Sequence, residues 1–341
     1  MTSHIMAVMK PTTTSTARRF FLFAGVGALV VVIARSHPRE LLVTLRAAGW
    51  AVPAIVAVYG IVYLMNTIAW RLTMTDGTRL QFGRAAAINV AAFSMNYLTP
   101  FASIGGEPFK IITAAKWMGT TEATASVLSY RLVHIQAHLM VFLTGLALAI
   151  AVLPRNVFPW PALLLLGVAL SLLTLLVLVV QREGMLERLF RVLRRMPLVG
   201  GLVARLDPQR ESFIEIDRQL SAFQRTNRGR YFGALFFEYA ARVFSMLEFL
   251  IIARAAGYPV TFATAFIIGS FSSLVVNLLF FIPFNAGSKE GSLVLIFSAL
   301  GLPIALGAAA AVLSRIRELI WIAIGLGLAL VVRPPVQRVS K

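Results

Sequence analysis

The chain has 341 residues, 58% of them apolar and 13% charged, with a mean hydropathy of +0.81. A soluble domain carries about 25% charged residues, so the composition excludes an ordinary water-soluble fold and predicts one polytopic, all-α membrane domain. The net charge of +18 lies largely in loops and tails, where membrane orientation and anionic lipid account for it without nucleic acid. The absence of cysteine excludes disulfides, thiolate nucleophiles and Cys-ligated metals.

Residues 1–17 are polar and Thr-rich and read as a disordered tail. Arg18 and Arg19 precede a first span, Phe20 to Ala34, which enters from the cytoplasm; nothing after it resembles a cleavage site, so a retained anchor is expected. Ser36 to Gly49 is amphipathic, with Leu41, Leu42 and Leu45 opposed to Arg39, Glu40 and Arg46. It is expected along the outer interface, although its basic residues run against the positive-inside rule.

A second span runs from about Trp50 to Trp70 and meets a basic loop with Arg71, Arg79 and Arg84. Phe82 to Leu98 reads as a helix that is small and polar for a lipid-facing one, with Asn89, Ser94 and Asn96. A Gly/Pro-broken loop from Asn96 to Glu107 follows, then a short helix from Pro108 to Met118, where proline suits the first turn. Thr121 to Leu153 predicts a long helix carrying Arg131, His134 and His138, and Pro161 to Gln181 an uncharged span. Residues 181–230 hold eleven arginines against six acids, with Leu186, Leu189, Phe190 and Leu193 at helical spacing. They predict a basic cytoplasmic connector with an interfacial helix.

Tyr231 to Ala256 reads as a span interrupted by Glu238, Arg242 and Glu248. Phe262 to Ile282, with Ser270, Ser272, Ser273 and Asn277, leads to a second broken loop around Pro283 and a short helix from Glu290 to Leu300. Ile304 to Val332 carries Arg315, Arg317 and Glu318 before a basic tail at 333–341.

The two halves match. Gly77, Phe82 and Ala85 recur 180 residues later at Gly257, Phe262 and Ala265; Pro100, Phe101 and Glu107 recur 183 later at Pro283, Phe284 and Glu290. Val127-Leu128-Ser129 recurs 185 later at Val312-Leu313-Ser314, and each triplet leads into arginine. Repeat one therefore spans about 50–153 and repeat two about 231–332, within one domain at 18–332. Placing the Arg79/Arg84 loop, the Arg-rich connector and the C-terminal tail in the cytoplasm requires each broken segment to be a re-entrant hairpin, one from each side. The repeats are then inverted, with two hairpins meeting near the midplane, which is a transporter pattern. Irregular backbone at that depth must line a cavity or be buried in protein.

Pro100 and Pro283 mark the expected hairpin tips. The glycines Gly105, Gly106 and Gly287 precede returning helices whose N-terminal N–H groups suit an anion. Lys110, Lys289, Arg131 and Arg315 add charge for an anionic head group. Glu107 and Glu290 are candidates for gating or proton carriage, since a carboxylate in the membrane is costly; a structural Glu–Arg or Glu–Lys pair is the alternative. Glu238 and Arg242, four apart, read as a structural pair. His134 and His138 share a helix face but lack a third ligand, so they read as pathway lining or interhelical bonds, with no metal or other cofactor expected. Asn96 and Asn277 read as pathway lining or as helix-packing residues.

Three stretches carry a family resemblance: Asn96-Tyr-Leu-Thr-Pro-Phe-x-Ser-Ile-Gly-Gly-Glu-Pro-Phe-Lys110, Leu128-Ser-Tyr-Arg131, and Pro283-x-x-x-Gly287-x-x-Glu290-Gly291. They resemble the flippase-like integral membrane family related to the transmembrane part of lysylphosphatidylglycerol synthase, which includes stand-alone hopanoid-associated proteins. The resemblance runs from about Phe20 to Val332. It implies lipid translocation between leaflets, with Pro100, Gly105, Gly106, Glu107, Arg131, Pro283, Gly287 and Glu290 at the family's loop positions. Nothing in these residues resembles the synthase's soluble aminoacyl-transferring domain, so aminoacylation is not expected.

The expected function is secondary transport of a lipid with an anionic head group in a bacterial inner membrane. Membrane lipids are the expected partners, and a second copy of the chain or enzymes of lipid biosynthesis are candidate protein partners. An intramembrane lipid-modifying enzyme and a non-transporting scaffold are the competing readings.

Overall fold

A computed structural model describes residues 48–74, 80–98, 106–154, 160–182, 223, 227–279 and 287–332. The tail at 1–17, the first span, Ser36 to Ala47 of the amphipathic segment, the tips Pro100 and Pro283, Gly105, most of the connector and the tail at 333–341 lie outside the described residues.

All the described elements are α-helices. In the first half they are α1 (Ala51–Leu72), α2 (Phe82–Leu98), α3 (Gly106–Met118) and α4 (Thr120–Val152), followed by α5 (Trp160–Arg182). The second half has α6 (Arg228–Ser245), α7 (Leu247–Ala255), α8 (Phe262–Leu278), α9 (Ser288–Ala299) and α10 (Ile304–Val331). By length and composition α1 and α4 can cross a membrane. At 33 residues α4 is about 50 Å long, more than the hydrocarbon thickness requires. The 28-residue α10 is long enough too, but Arg315, Arg317 and Glu318 interrupt its apolar run.

Helix boundaries agree closely with the hydropathy pattern, with one difference. The span expected from Tyr231 to Ala256 is two helices, broken at Met246. Ser245 Oγ–H donates to the Arg242 carbonyl at 2.7 Å, a side-chain bond that competes with the helix ladder. The Met246 side chain is buried against Gly269, where a β-carbon would collide with it.

Neighbour relations occur twice. Helix α2 packs on α3 and α8 on α9; α3 packs on α4 and α9 on α10; α2 packs on α10 and α8 on α4. Small residues permit the two crossings between halves. Ser94 of α2 sits against Gly325 of α10, and Ser270 of α8 against Gly145 of α4, with no room for a β-carbon at either glycine.

Two apolar cores flank this arrangement. Trp70, Ile88, Ala114 and Val127 fill the core between α1, α2, α3 and α4. Ile55, Ile252, Ile268, Leu293 and Phe297 fill the other, between α1, α7, α8, α9 and α10. On the outside, α5 exposes Leu164, Leu165, Val168, Leu172, Leu175 and Leu176. Such a continuous apolar face is unusual for a protein in water and ordinary for one in lipid. Arg230, at the start of α6, donates to the carbonyls of Leu72 (3.1 Å) and Met74, so it ties the C-terminal end of α1 to the second half.

Candidate functional site

The polar residues inside this apolar body converge because each α-helix spends its one-sided polar stripe on the interior. A buried charge in such surroundings is tolerated only when paired. Glu238 of α6 is fully buried and is met from three helices. Asn66 Nδ2–H donates to one carboxylate oxygen at 2.7 Å and the Tyr130 hydroxyl to the same oxygen at 3.0 Å. The other oxygen faces His134 Nδ1 at 2.7 Å and Arg242 Nη2 at 3.0 Å. The expected Glu238–Arg242 pair is present, within a larger network.

A second network lies across the molecule on α10. Arg317 donates from Nε and Nη2 to the two oxygens of Glu248, at 3.2 and 3.1 Å, and its guanidinium lies 3.5 Å from the centre of the Tyr59 ring. The Tyr59 hydroxyl donates to Glu248 at 2.9 Å. Glu318 accepts from the Tyr97 hydroxyl, from Lys289 and from Arg315 Nη1 (3.3 Å).

Between the networks is a cavity of about 530 Å³. Its size falls within the range of about 300–1,000 Å³ usual for small-molecule sites. The expected residues Asn96, Gly106, Glu107, Lys110, Arg131, His134, His138 and Asn277 all line it. Lys110 is held at its wall by Asn89 Oδ1 at 2.8 Å and lies 4.5 and 4.4 Å from the ring centres of Trp70 and Tyr130. Glu107 and Arg131 pair at 3.2 Å where both are accessible, with side chains 27% and 45% exposed. Among the described residues, Tyr63 Oη and Arg242 Nε are buried without a hydrogen-bond partner, and both residues line the cavity.

Lys289, Arg315, Gly287 and Glu290 are placed elsewhere. Lys289 is committed to Glu318. Arg315 reaches Glu290 at 2.5 Å and also donates to the Tyr97 hydroxyl. Glu290 additionally accepts the Gly287 N–H at 2.9 Å at the start of α9, and Asn96 Oδ1 accepts the Gly106 N–H at 2.7 Å at the start of α3. The leading amide of each helix therefore already has an internal acceptor, which limits the anion site expected there.

Of the histidines, His134 bridges to Glu238 and His138 Nδ1 bonds the His134 carbonyl at 3.0 Å. No cluster of three metal-ligating side chains occurs among the described residues. Sequence reasoning missed the tyrosines: Tyr59, Tyr63, Tyr97 and Tyr130 all line the cavity. Their sign in the sequence is position, because tyrosine within a span, away from the interfacial belt, needs a polar neighbour.

A family model described as "Lysylphosphatidylglycerol synthase TM region" matches residues 20–327. No curated protein and no solved structure matches the chain.

Proposed function

The chain belongs to the lysylphosphatidylglycerol synthase TM region family, a membrane family with a lipid-related function, and from that membership we propose that it moves an anionic lipid head group between leaflets. The observation that carries this reading is the cavity itself. A polar chamber of about 530 Å³ lies inside an apolar helical body and is lined by three cations, Lys110, Arg131 and Arg242, with Glu107 as the lining carboxylate. A lipid phosphate fits that charge balance, and its acyl chains can remain in the bilayer outside.

In this proposal α2–α3 and α8–α9 are re-entrant hairpins of an inverted repeat. The recurring helix neighbours support it, as does the recurring pairing of Glu107 with Arg131 and of Glu290 with Arg315, 24 and 25 residues apart. The two pairs act as gates, and translocation proceeds without covalent chemistry. The protein would work in a bacterial inner membrane with its termini in the cytoplasm.

The test is leaflet exchange of head-group-labelled lipids in proteoliposomes, wild type against Glu107→Gln. Exchange of anionic lipids that collapses in the variant supports the proposal. No exchange of any lipid by folded, reconstituted protein overturns it and favours an enzyme or a scaffold.

A further inference from the structure

The geometry around His134 points to a proton-linked arginine switch: we infer that an anionic phosphodiester enters the cavity together with one proton, taken up at His134 Nε2, which releases Arg242 to the anion. This rests on the head-group reading above and adds its ion coupling.

The argument starts from donors and acceptors. A carboxylate only accepts, so the 2.7 Å contact with Glu238 places the imidazole proton on Nδ1. The neutral ring then has one free acceptor, Nε2, and Arg242 Nη2 lies across the two ring nitrogens, 2.9 Å from Nδ1 and 3.3 Å from Nε2. Through Nη2, Arg242 is thus held by Glu238 Oε1 at 3.0 Å and packed directly against the imidazole that shares that oxygen. Its Nε remains buried and unpartnered at the cavity, an unmet donor near the proposed site of the anion. Tyr63 Oη is a second unmet polar group on the same wall.

Protonation at Nε2 makes the ring a donor at both nitrogens and sets a cationic imidazolium directly against the guanidinium, a repulsive contact. The carboxylate of Glu238 stays bound to Asn66 Nδ2–H, the Tyr130 hydroxyl and the imidazolium, so it tolerates the departure of Arg242. Arg242 can then give its guanidinium to the phosphodiester. Charge balances, because one proton enters with one negative charge. The proton comes from water at the accessible end of the cavity, where Arg131 is 45% exposed.

The other groups facing His134 fit this assignment less well. On its own helix are Tyr130, Arg131 and His138, and His138 Nδ1 is already engaged by the His134 carbonyl. From α3 come Glu107, paired with Arg131, and Lys110, bound to Asn89. Helix α1 offers Tyr59 and Tyr63, α6 offers Glu238 and Arg242, and α8 brings the neutral Asn277. Among the described cavity residues, α5 contributes none.

The test uses the full chain in detergent with dihexanoyl phosphatidylglycerol as probe. Glycerophosphoglycerol is the same head group without acyl chains. Calorimetric titration in two buffers of different ionisation heat counts protons taken up on binding. Spectra of ¹⁵N-histidine-labelled protein, with the His134 signals assigned by their loss in His134→Gln, report the ring directly.

The expected result is about one proton taken up per probe, affinity rising about tenfold per unit fall in pH while the free ring is neutral and levelling once it is protonated, and His134 passing from the Nδ1–H tautomer to the doubly protonated ring. His134→Gln, whose amide keeps a donor for Glu238 and an acceptor for Arg242, is expected to bind the probe without proton uptake. Binding with no proton uptake and an unchanged His134 ring overturns this inference alone and leaves the head-group reading standing. Equal proton uptake in His134→Gln assigns the proton to another residue and also overturns it. Proton-linked binding of glycerophosphoglycerol without binding of the lipid supports the switch but overturns lipid as the cargo. No binding of either probe overturns both; if the Gln variant does not fold, the wild-type spectra decide.

Discussion

Arg317 donates to both carboxylate oxygens of Glu248, 69 residues away, and the two form a fork that is 4% and 1% exposed. It ties α7 to α10 inside the apolar core. Substituting Glu248 by Ala leaves a guanidinium buried in that core, a change that costs about 3–5 kcal/mol. The expected outcome is a large drop in thermal unfolding temperature in detergent. The double variant Glu248→Leu with Arg317→Leu is expected to be milder than Glu248→Ala, because no unpaired charge remains there. A single substitution as harmless as the double would contradict a buried ion pair.

Gly325→Ala tests the crossing of α10 on α2. Its β-carbon meets the Ser94 side chain and lies 2.6 Å from the Val90 carbonyl oxygen. Overpacking of this kind costs about 1–3 kcal/mol. Ser94→Ala is expected to rescue it only in part, since the Val90 carbonyl is backbone and cannot withdraw. Unfolding curves of the single and double variants check this; full rescue would place the strain entirely on the serine hydroxyl.

Glu107→Gln separates stability from transport. The Glu107–Arg131 pair is accessible, and exposed pairs contribute about 0–1 kcal/mol, so the unfolding temperature is expected to stay nearly constant. Lipid exchange is expected to fall. Glu290→Ala differs, because Glu290 also accepts the Gly287 N–H at the start of α9, an acceptor that alanine removes and glutamine would keep. Loss of such a cap typically costs about 1 kcal/mol, which predicts the lower unfolding temperature of the two variants.

Lys110→Met removes charge while keeping most of the side chain's volume between Trp70 and Tyr130. It leaves Asn89 Oδ1 without its 2.8 Å donor, a loss of about 1–3 kcal/mol for a buried acceptor. A folded protein with weakened binding of anionic lipid is expected, with neutral and zwitterionic lipids unaffected. Equal weakening for every lipid class would mean that Lys110 shapes the cavity instead of selecting charge.

Composition and period alone determined that this chain is a helical membrane protein and where most of its helices run. Twenty-residue apolar windows have one stable form in lipid, because each backbone N–H and C=O must be satisfied within the segment. The first Pro-Phe-x5-Glu stretch, together with polar residues inside apolar helices, also picked out residues that share one cavity, from Asn96 and Glu107 to His134 and Asn277, whereas Glu290 of the second stretch is not among them. The choice of partner was not legible. Lys110 and Lys289 look alike in sequence, yet one lines the cavity beside two aromatic rings and the other is committed to Glu318. Likewise Glu238 reads as half of an i,i+4 pair, while its strongest neighbours, Asn66 and His134, come from helices 172 and 104 residues away. Helical periodicity says which side of a helix is polar, but only the packing of one helix on another sets which polar groups meet. Side-chain contacts at 3 Å depend on helix crossings that Gly145 and Gly325 permit, and no local pattern encodes those distances.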